Sequence, residues 1–189
     1  MKKHDFKRFV NIPTLRTERL VLRKIVPTDI DDVYEYASDT RVSEFLLWSP
    51  HPTKGYTKAY LSLLAKRYRA GDFYDWGIEL DGKMIGTVGF TSFSIENNVG
   101  EIGYVLSSKC WGMGIASEAV KRILEFGFCE LLLNRIEAKF MAENEKSRKL
   151  LDKLGFNYEG EMKEAVYAKD RYRNVGISAL TRGEYLKMQ

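Results

Sequence analysis

The chain has 189 residues, 44% hydrophobic and 30% charged, with a formal net charge of +4. That mixture describes one ordinary globular domain able to bury a core without disulfide or metal staples, and it excludes a disordered chain. The slight positive surplus favours anionic ligands but falls short of a nucleic-acid signature, so no direct nucleic-acid contact is expected.

Cys110 and Cys129 form no C-x-x-C pair and predict a reducing, cytoplasmic setting. The first ten residues are charged rather than apolar, so no signal peptide is expected. No run approaches the roughly 18 apolar residues of a membrane span. The only histidines are His4, in a predicted N-terminal extension (residues 1–14), and His51, between Pro50 and Pro52. That leaves little for a Ser-His-Asp enzyme or a zinc site, and no metal is expected.

In chain order, residues 19–24 alternate Leu20 and Leu22 with basic neighbours, as a half-buried strand does. Pro27-Thr28-Asp29 predicts a turn and cap for a helix to about Ala37. Further helices are predicted over 40–47 and from Lys54 to Ala70, the latter stopped by Gly71. From Asp75 the period becomes two: Trp76, Ile78 and Leu80 share a face, Asp81-Gly82 turns, and Lys83 to Phe93 returns. Asn97-Asn98 turns again into a strand over Glu101–Leu106. A glycine-containing loop at 108–114 follows, then a helix over about 113–129 with Ala116, Ala119, Val120, Ile123 and Gly127 on one stripe. Arg135 to Phe140 alternates cleanly as a strand. Asn144 and Gly155 bracket a helix as N-cap and C-cap. Phe156–Lys163 and Val175–Thr181 close the series as strands. The order predicts a mixed, mostly antiparallel α/β sheet of six or seven strands with about four to five helices, in one domain.

The central unit is strand, glycine loop, helix. Its loop reads Ser108-Lys109-Cys110-Trp111-Gly112-Met113-Gly114-Ile115-Ala116. Glycines let main-chain amides approach a ligand closely, and a helix start leaves about four N–H groups unpaired and partly positive. Together they seat a phosphate or pyrophosphate. Neither the Lys-Ser/Thr ending of a P-loop nor the third glycine of a dinucleotide fingerprint is present, since Ser117 stands there. On local physics alone a plain tight turn explains the loop equally well.

These residues resemble the Gcn5-related N-acetyltransferases (GNAT), and within them the RimJ/RimL-like branch that acetylates ribosomal-protein N-termini. Lys109 to Gly114 follows the family's Q/R-x-x-G-x-G/A loop, with Lys in the first place, and Trp111 to Ala119 follows W-G-x-G-x-A-x-E-A. Leu15 to Arg23, Glu101 to Tyr104, Asn144 with Ser147, Lys153 to Phe156, and Tyr172 to Val175 (Asn174 replacing Asp) follow the branch in order. The resemblance implies a GNAT fold and acetyl-CoA as co-substrate. It places the pyrophosphate on Lys109, Gly112, Met113, Gly114, Ile115, Ala116 and Ser117. It pairs the pantetheine arm with Val105 and Leu106 and adds a contact from Asn144, which a helix cap explains on its own.

The reaction that the resemblance implies is attack of a neutral amine on a thioester in a ternary complex. The family's usual proton-donating tyrosine falls on Leu151 here, so Ser147, on the stripe with Leu150, Leu151 and Leu154, becomes the candidate acid. A bond from that hydroxyl to its own helix is the plain alternative. Glu101, beside Gly103 and Val105, is the candidate base, and a solvated carboxylate is its alternative. An α-amine, with an ordinary pKa near 7.7–8.0 against 10.4 for lysine, suits a chain without a histidine near the motifs. The expected acceptor is therefore a protein N-terminus. A polyamine or aminoglycoside-type amine is the second reading, with Asp29, Asp31, Asp32 and Glu35 as its acidic cleft; a non-enzymatic CoA-binding module is the third. Phe45, Trp48, Tyr74 and Trp76 are candidate cleft aromatics, and Tyr167–Arg173 a candidate rim. Cys110 is the one thiol that could divert the direct mechanism. A monomer or homodimer is expected.

Overall fold

Residues 12–71 and 74–188 are described in a computed structural model. The strands are β1 (Leu15–Arg16), β2 (Leu20–Arg23), β3 (Tyr74–Leu80), β4 (Lys83–Ser94), β5 (Val99–Leu106), β6 (Arg135–Met141), β7 (Asn157–Ala168) and β8 (Arg171–Thr181). The helices are α1 (Ile30–Ala37), α2 (Thr40–Ser43), α3 (Lys54–Ala70), α4 (Ile115–Glu125), α5 (Glu145–Lys153) and α6 (Arg182–Lys187). The strands make one sheet in the order β1-β2-β3-β4-β5-β6-β8-β7. Every pairing is antiparallel except β5 with β6.

The sheet thus has eight strands rather than six or seven, because the two-residue β1 is too short to show alternation. Helix α4 lays a fully buried stripe of Ala119, Val120 and Ile123 on one face of the sheet. It ends in a π-type turn over Phe126–Glu130, closed by the Leu131 amide on the Phe126 carbonyl. A side chain at Gly127 would strike Ile136 and Phe90, so glycine lets that turn lie flat on the strands. On the opposite face Gly77 lies against Ile25, beside α1 and α3.

The predicted helix over 40–47 shrinks to one turn, α2, because Phe45 and Trp48 turn toward the cavity described below. The closing strands form a long hairpin whose tip, Lys169-Asp170, has both residues at positive φ, the twist a two-residue hairpin turn requires. At the N-terminal end, Ile12 is buried and the Pro13 carbonyl accepts the Trp76 indole N–H at 2.7 Å. The end of the predicted extension therefore belongs to the core; His4 and the rest of residues 1–11 lie outside the described residues.

The decisive topological feature lies between β5 and β6. They pair only from Val99 with Arg135 to Ile102 with Ala138. Beyond that, β5 runs on to Leu106 paired with β4, while β6 runs to Met141 paired with β8. The sheet splits there, leaving the β6-facing edge of Gly103–Leu106 open.

Candidate active site

A cavity of about 1090 Å³ fills the split. Its walls are β5 and β6, the first turn of α4, one face of α5, and the aromatic residues around α1 and α3.

At one end stands the glycine loop. Gly112 and Gly114 have φ of 77° and 76°, the left-handed region that favours glycine, and a Cβ at Gly112 would meet nothing within 4 Å. No side chain caps α4, and its first internal bond is Glu118 N–H to the Gly114 carbonyl, 3.0 Å. The amides of Ile115, Ala116 and Ser117 therefore open a helix start without intrahelical partners. The loop is clamped from behind. Glu118 accepts from the Thr17 hydroxyl (2.5 Å) and from the Arg19 amide and side chain, while Arg19 also donates to the Met113 carbonyl at 3.1 Å. The opening strand motif and the loop motif thus meet in space. This arrangement fits a diphosphate: bare donors, positive dipole end, no obstructing side chain.

Gly112, Gly114, Ile115, Ala116, Ser117, Val105, Leu106, Asn144 and Ser147 all line this cavity, as does Glu101. Lys109 and Met113 do not. Lys109 turns instead to Glu35 of α1, 2.7 Å away, and the Met113 side chain is exposed. The Leu106 carbonyl already accepts the Trp111 indole N–H at 3.0 Å, and the Lys146 ammonium lies 4.3 Å above that indole ring. Asn144 caps α5 by accepting the Ser147 amide, 3.1 Å.

Ser147 does not bond back to its own helix. Its Oγ lies 2.6 Å from the hydroxyl of Tyr104 on β5. Burial pushes the Tyr104 phenol up to about 12, so it stays protonated across the physiological range. Sequence reading missed Tyr104: alternation places it with Ile102 and Leu106 as core, and no local signal pairs it with residue 147. Glu101 is held at both oxygens, Oε1 by the Thr91 hydroxyl (3.1 Å) and Oε2 by Lys139 (2.6 Å). Cys110 is buried, and desolvation raises its thiol pKa, which disfavours a thiolate nucleophile.

At the other end Phe45 and Trp48 line the cavity as expected. Tyr74 and Trp76 do not: both are buried, Trp76 edge-on to Phe126. Tyr36, Tyr60 and His51 take those places. The β7–β8 tip closes over this end, Lys169 donating to the Ser43 and Glu44 carbonyls. Asp75 enters from β3; desolvation pushes its carboxyl up to about 7. The acidic run is spent elsewhere. Asp29 is forked by Arg23, Asp31 pairs with Lys54, Asp32 accepts the Met84 amide, and Glu35 holds Lys83 and Lys109. None of these four lines the cavity. Among the described residues no group of acidic, histidine or cysteine side chains could hold a metal, and no helix is long and apolar enough to cross a membrane.

His51 carries a pH prediction. Its Nδ1 lies 2.9 Å from Thr57 Oγ1 in a ring of Trp48, Tyr56 and Tyr60, and desolvation lowers its pKa below 6.5. The neutral ring is favoured in the fold, so its contribution holds above 6.5 and is lost as pH falls through the lower folded value. Thermal unfolding from pH 7.5 to 5 should therefore show a steeper acid decline in the wild type than in His51→Asn; parallel declines would contradict it.

Residues 19–157 match the family model described as an acetyltransferase (GNAT) domain. The chain is 38% identical over 175 residues to "Uncharacterized N-acetyltransferase p20" of Bacillus licheniformis, covering 91% of this chain and 98% of that one. It is 24% identical to "Putative ribosomal N-acetyltransferase YdaF" of Bacillus subtilis, covering 89% and 94%. It is 26% identical to the spermidine N(1)-acetyltransferase of Escherichia coli strain K12, covering 86% and 88%. Among solved structures, a GNAT-family acetyltransferase from Bacillus anthracis superposes with a TM-score of 0.80 at 28% identity, over 91% of this chain and all of that one.

Proposed function

Because this chain belongs to the acetyltransferase (GNAT) family and is an N-acetyltransferase, we propose that it transfers acetyl from acetyl-CoA to the α-amine of a protein N-terminus, in one ternary complex. The observation that carries this is the junction of the bare-amide helix start with the open edge of β5. The first suits a diphosphate and the second an extended pantetheine arm, end to end in one cavity. Val105 and Leu106 then offer main-chain groups to the arm, with Asn144 and Ser117 beside it. Lys146, Lys149 and Lys153 along α5 add positive charge to the same wall. Gly103 and Val105 leave the thioester carbonyl against main chain, where an amide donor stabilises the oxyanion. Tyr104 and Ser147 form the proton source for the departing thiolate, a role the residue 147 hydroxyl shares rather than holds alone.

The acceptor follows from charge. A polyamine calls for several free carboxylates; the acidic run is paired outside the cavity, and of the carboxylates that line it Glu101 is held by Lys139, which leaves Asp75 and the exposed Glu44 at the acceptor end. The aromatic end sets Asp75 among Tyr36, Tyr60 and Trp48, a wall that suits one ammonium beside a small side chain, which is what an N-terminal alanine or serine presents. The two free thiols fit a reducing compartment such as the cytoplasm.

The test is turnover of acetyl-CoA, followed as free thiol and by product mass, with three amines: peptides starting with Ala or Ser, an Nα-blocked lysine peptide, and spermidine. The α-amine peptides should react at least tenfold faster in kcat/KM. Preference for spermidine would replace this acceptor with the polyamine, as in the Escherichia coli relative.

A further inference from the structure

Two cavity carboxylates, Glu44 and Asp75, are singled out neither by the family's motifs nor by the sequence pattern; Glu44 is exposed, and Asp75 is the one set on a strand of the sheet. The strand register explains its position. Asp75 pairs with Gly89 on β4, and Gly89 pairs with Gly103 on β5. All three lie on the face that carries Thr87, Thr91, Glu101 and Val105. Two glycines side by side keep the floor between Asp75 and the open edge of β5 low: Gly89 is buried against β3, and Gly103, which lines the cavity, is bordered by the Thr91 methyl. A Cβ at Gly89 would fall 2.8 Å from Asp75 Oδ1, so the carboxylate leans over that floor, about one strand spacing, ~5 Å, from the β5 backbone. Tyr104, by alternation, lies on the other face, beside the Ser147 hydroxyl.

We infer that Asp75 receives the acceptor ammonium in this cleft and takes its proton, and that the amine then attacks across the glycine floor. The inference rests on the acetyltransferase reading and deepens it. One N–H proton passes to the Asp75 carboxylate. The freed lone pair forms the C–N bond, and the tetrahedral intermediate collapses with cleavage of C–S. The thiolate takes a proton from the Tyr104–Ser147 pair on the opposite side. The second proton lost by nitrogen restores that pair through solvent, and Asp75 returns its own to water. Base and acid thus sit on opposite faces of the split, and the substrate bridges it.

The surroundings suit the task. Thr87 on β4, Tyr60, Arg67 and Tyr68 on α3 and Tyr36 on α1 face the carboxyl, and Arg67 is the cation whose charge reaches it. Among the described residues no ion pair engages Asp75, whereas Glu101 is tied to Lys139. A carboxyl titrating at about 7 lies within about one unit of an α-amine but more than three below a lysine amine, so the walls select the amine they can deprotonate.

The experiment compares wild type, Asp75→Asn and Glu101→Gln with an Ala-starting peptide from pH 5.5 to 9, alongside acetyl-CoA titration and thermal melts. In the wild type kcat/KM should rise through an acid limb near pH 7. Asp75→Asn should lower kcat/KM at least 30-fold, erase that limb and leave acetyl-CoA affinity within twofold. It should also melt at least about 4 °C higher at pH 8, because an uncharged group replaces a poorly solvated carboxylate. A merely structural Asp75 would not give a variant both more stable and less active. An unchanged limb in Asp75→Asn, or its loss in Glu101→Gln alone, overturns the inference and gives the role to Glu101. A wild type that binds acetyl-CoA but acetylates none of the amines overturns the acetyltransferase reading itself, and this inference with it.

Discussion

Tyr104→Phe is expected to lower kcat for α-amine acetylation about 100-fold at pH 7 while leaving the KM for acetyl-CoA within twofold. The phenol bonds the Ser147 hydroxyl at 2.6 Å and, held protonated by burial, is the group able to neutralise a departing thiolate. General acid catalysis contributes typically 10²–10⁴-fold, and an effect confined to kcat marks an interaction made in the transition state. Ser147→Ala tests the order within the pair. It strands a buried phenol, costing about 1–3 kcal/mol of stability, and should lower kcat less if Tyr104 is the immediate donor. Equal losses in both variants would mean the proton passes through both oxygens in series. Wild-type kcat in Tyr104→Phe would remove the pair from the mechanism.

Acetyl-CoA affinity should fall at least 100-fold in Gly114→Val and about tenfold in Gly112→Ala. Gly114 sits at φ 76°, and its carbonyl accepts the first bond of α4. A β-branched residue there costs about 1–3 kcal/mol of strain or rotates the helix start away from its ligand. Gly112→Ala separates seat from fold. The added methyl meets no protein atom within 4 Å, so what it obstructs is the ligand, while the backbone strain costs about 1–2 kcal/mol. Calorimetric titration of the two variants, with melts for stability, checks both. Unaltered affinity in folded Gly114→Val would contradict a loop-borne diphosphate.

What the sequence made legible was what repeats or caps locally. Alternation located β2, β3 and β6, and Asn144 and Gly71 ended their helices as caps do. The glycine loop was legible as a tight turn opening a helix, and its ligand chemistry came only from the family resemblance, since local physics fits a plain turn equally well. The third residue of the Thr181–Glu184 capping box, Gly183, and the lack of an apolar stripe hid α6, although the box itself was readable. The outer part of the β7–β8 hairpin was hidden because it is largely exposed on both faces and so has no alternation to read.

The side chains gathered at the open edge of β5 were much less legible. Tyr104 and Ser147 are 43 residues apart, and only the packing of α5 on β6 and β7, across the split from β5, brings them together. Asp75 reads in sequence as the polar half of an alternating strand. Its surroundings come from helices α1 and α3 and from two glycines matched by register, which no window on one strand contains. Glu101 stands on a readable strand, but its partners Thr91 and Lys139 arrive from neighbouring strands. The acidic run looked like an open patch because its partners, Lys54, Lys83, Lys109 and the Met84 amide, lie on other elements.

The most direct test of the whole account is the amide spectrum of ¹⁵N-labelled protein titrated with acetyl-CoA. The N–H signals of Gly112 to Ser117 should move downfield, saturably and together, as hydrogen bonds to phosphate oxygens form. If those signals stay in place at saturation while others shift, the carrier binds elsewhere and the assignment of this cleft is wrong.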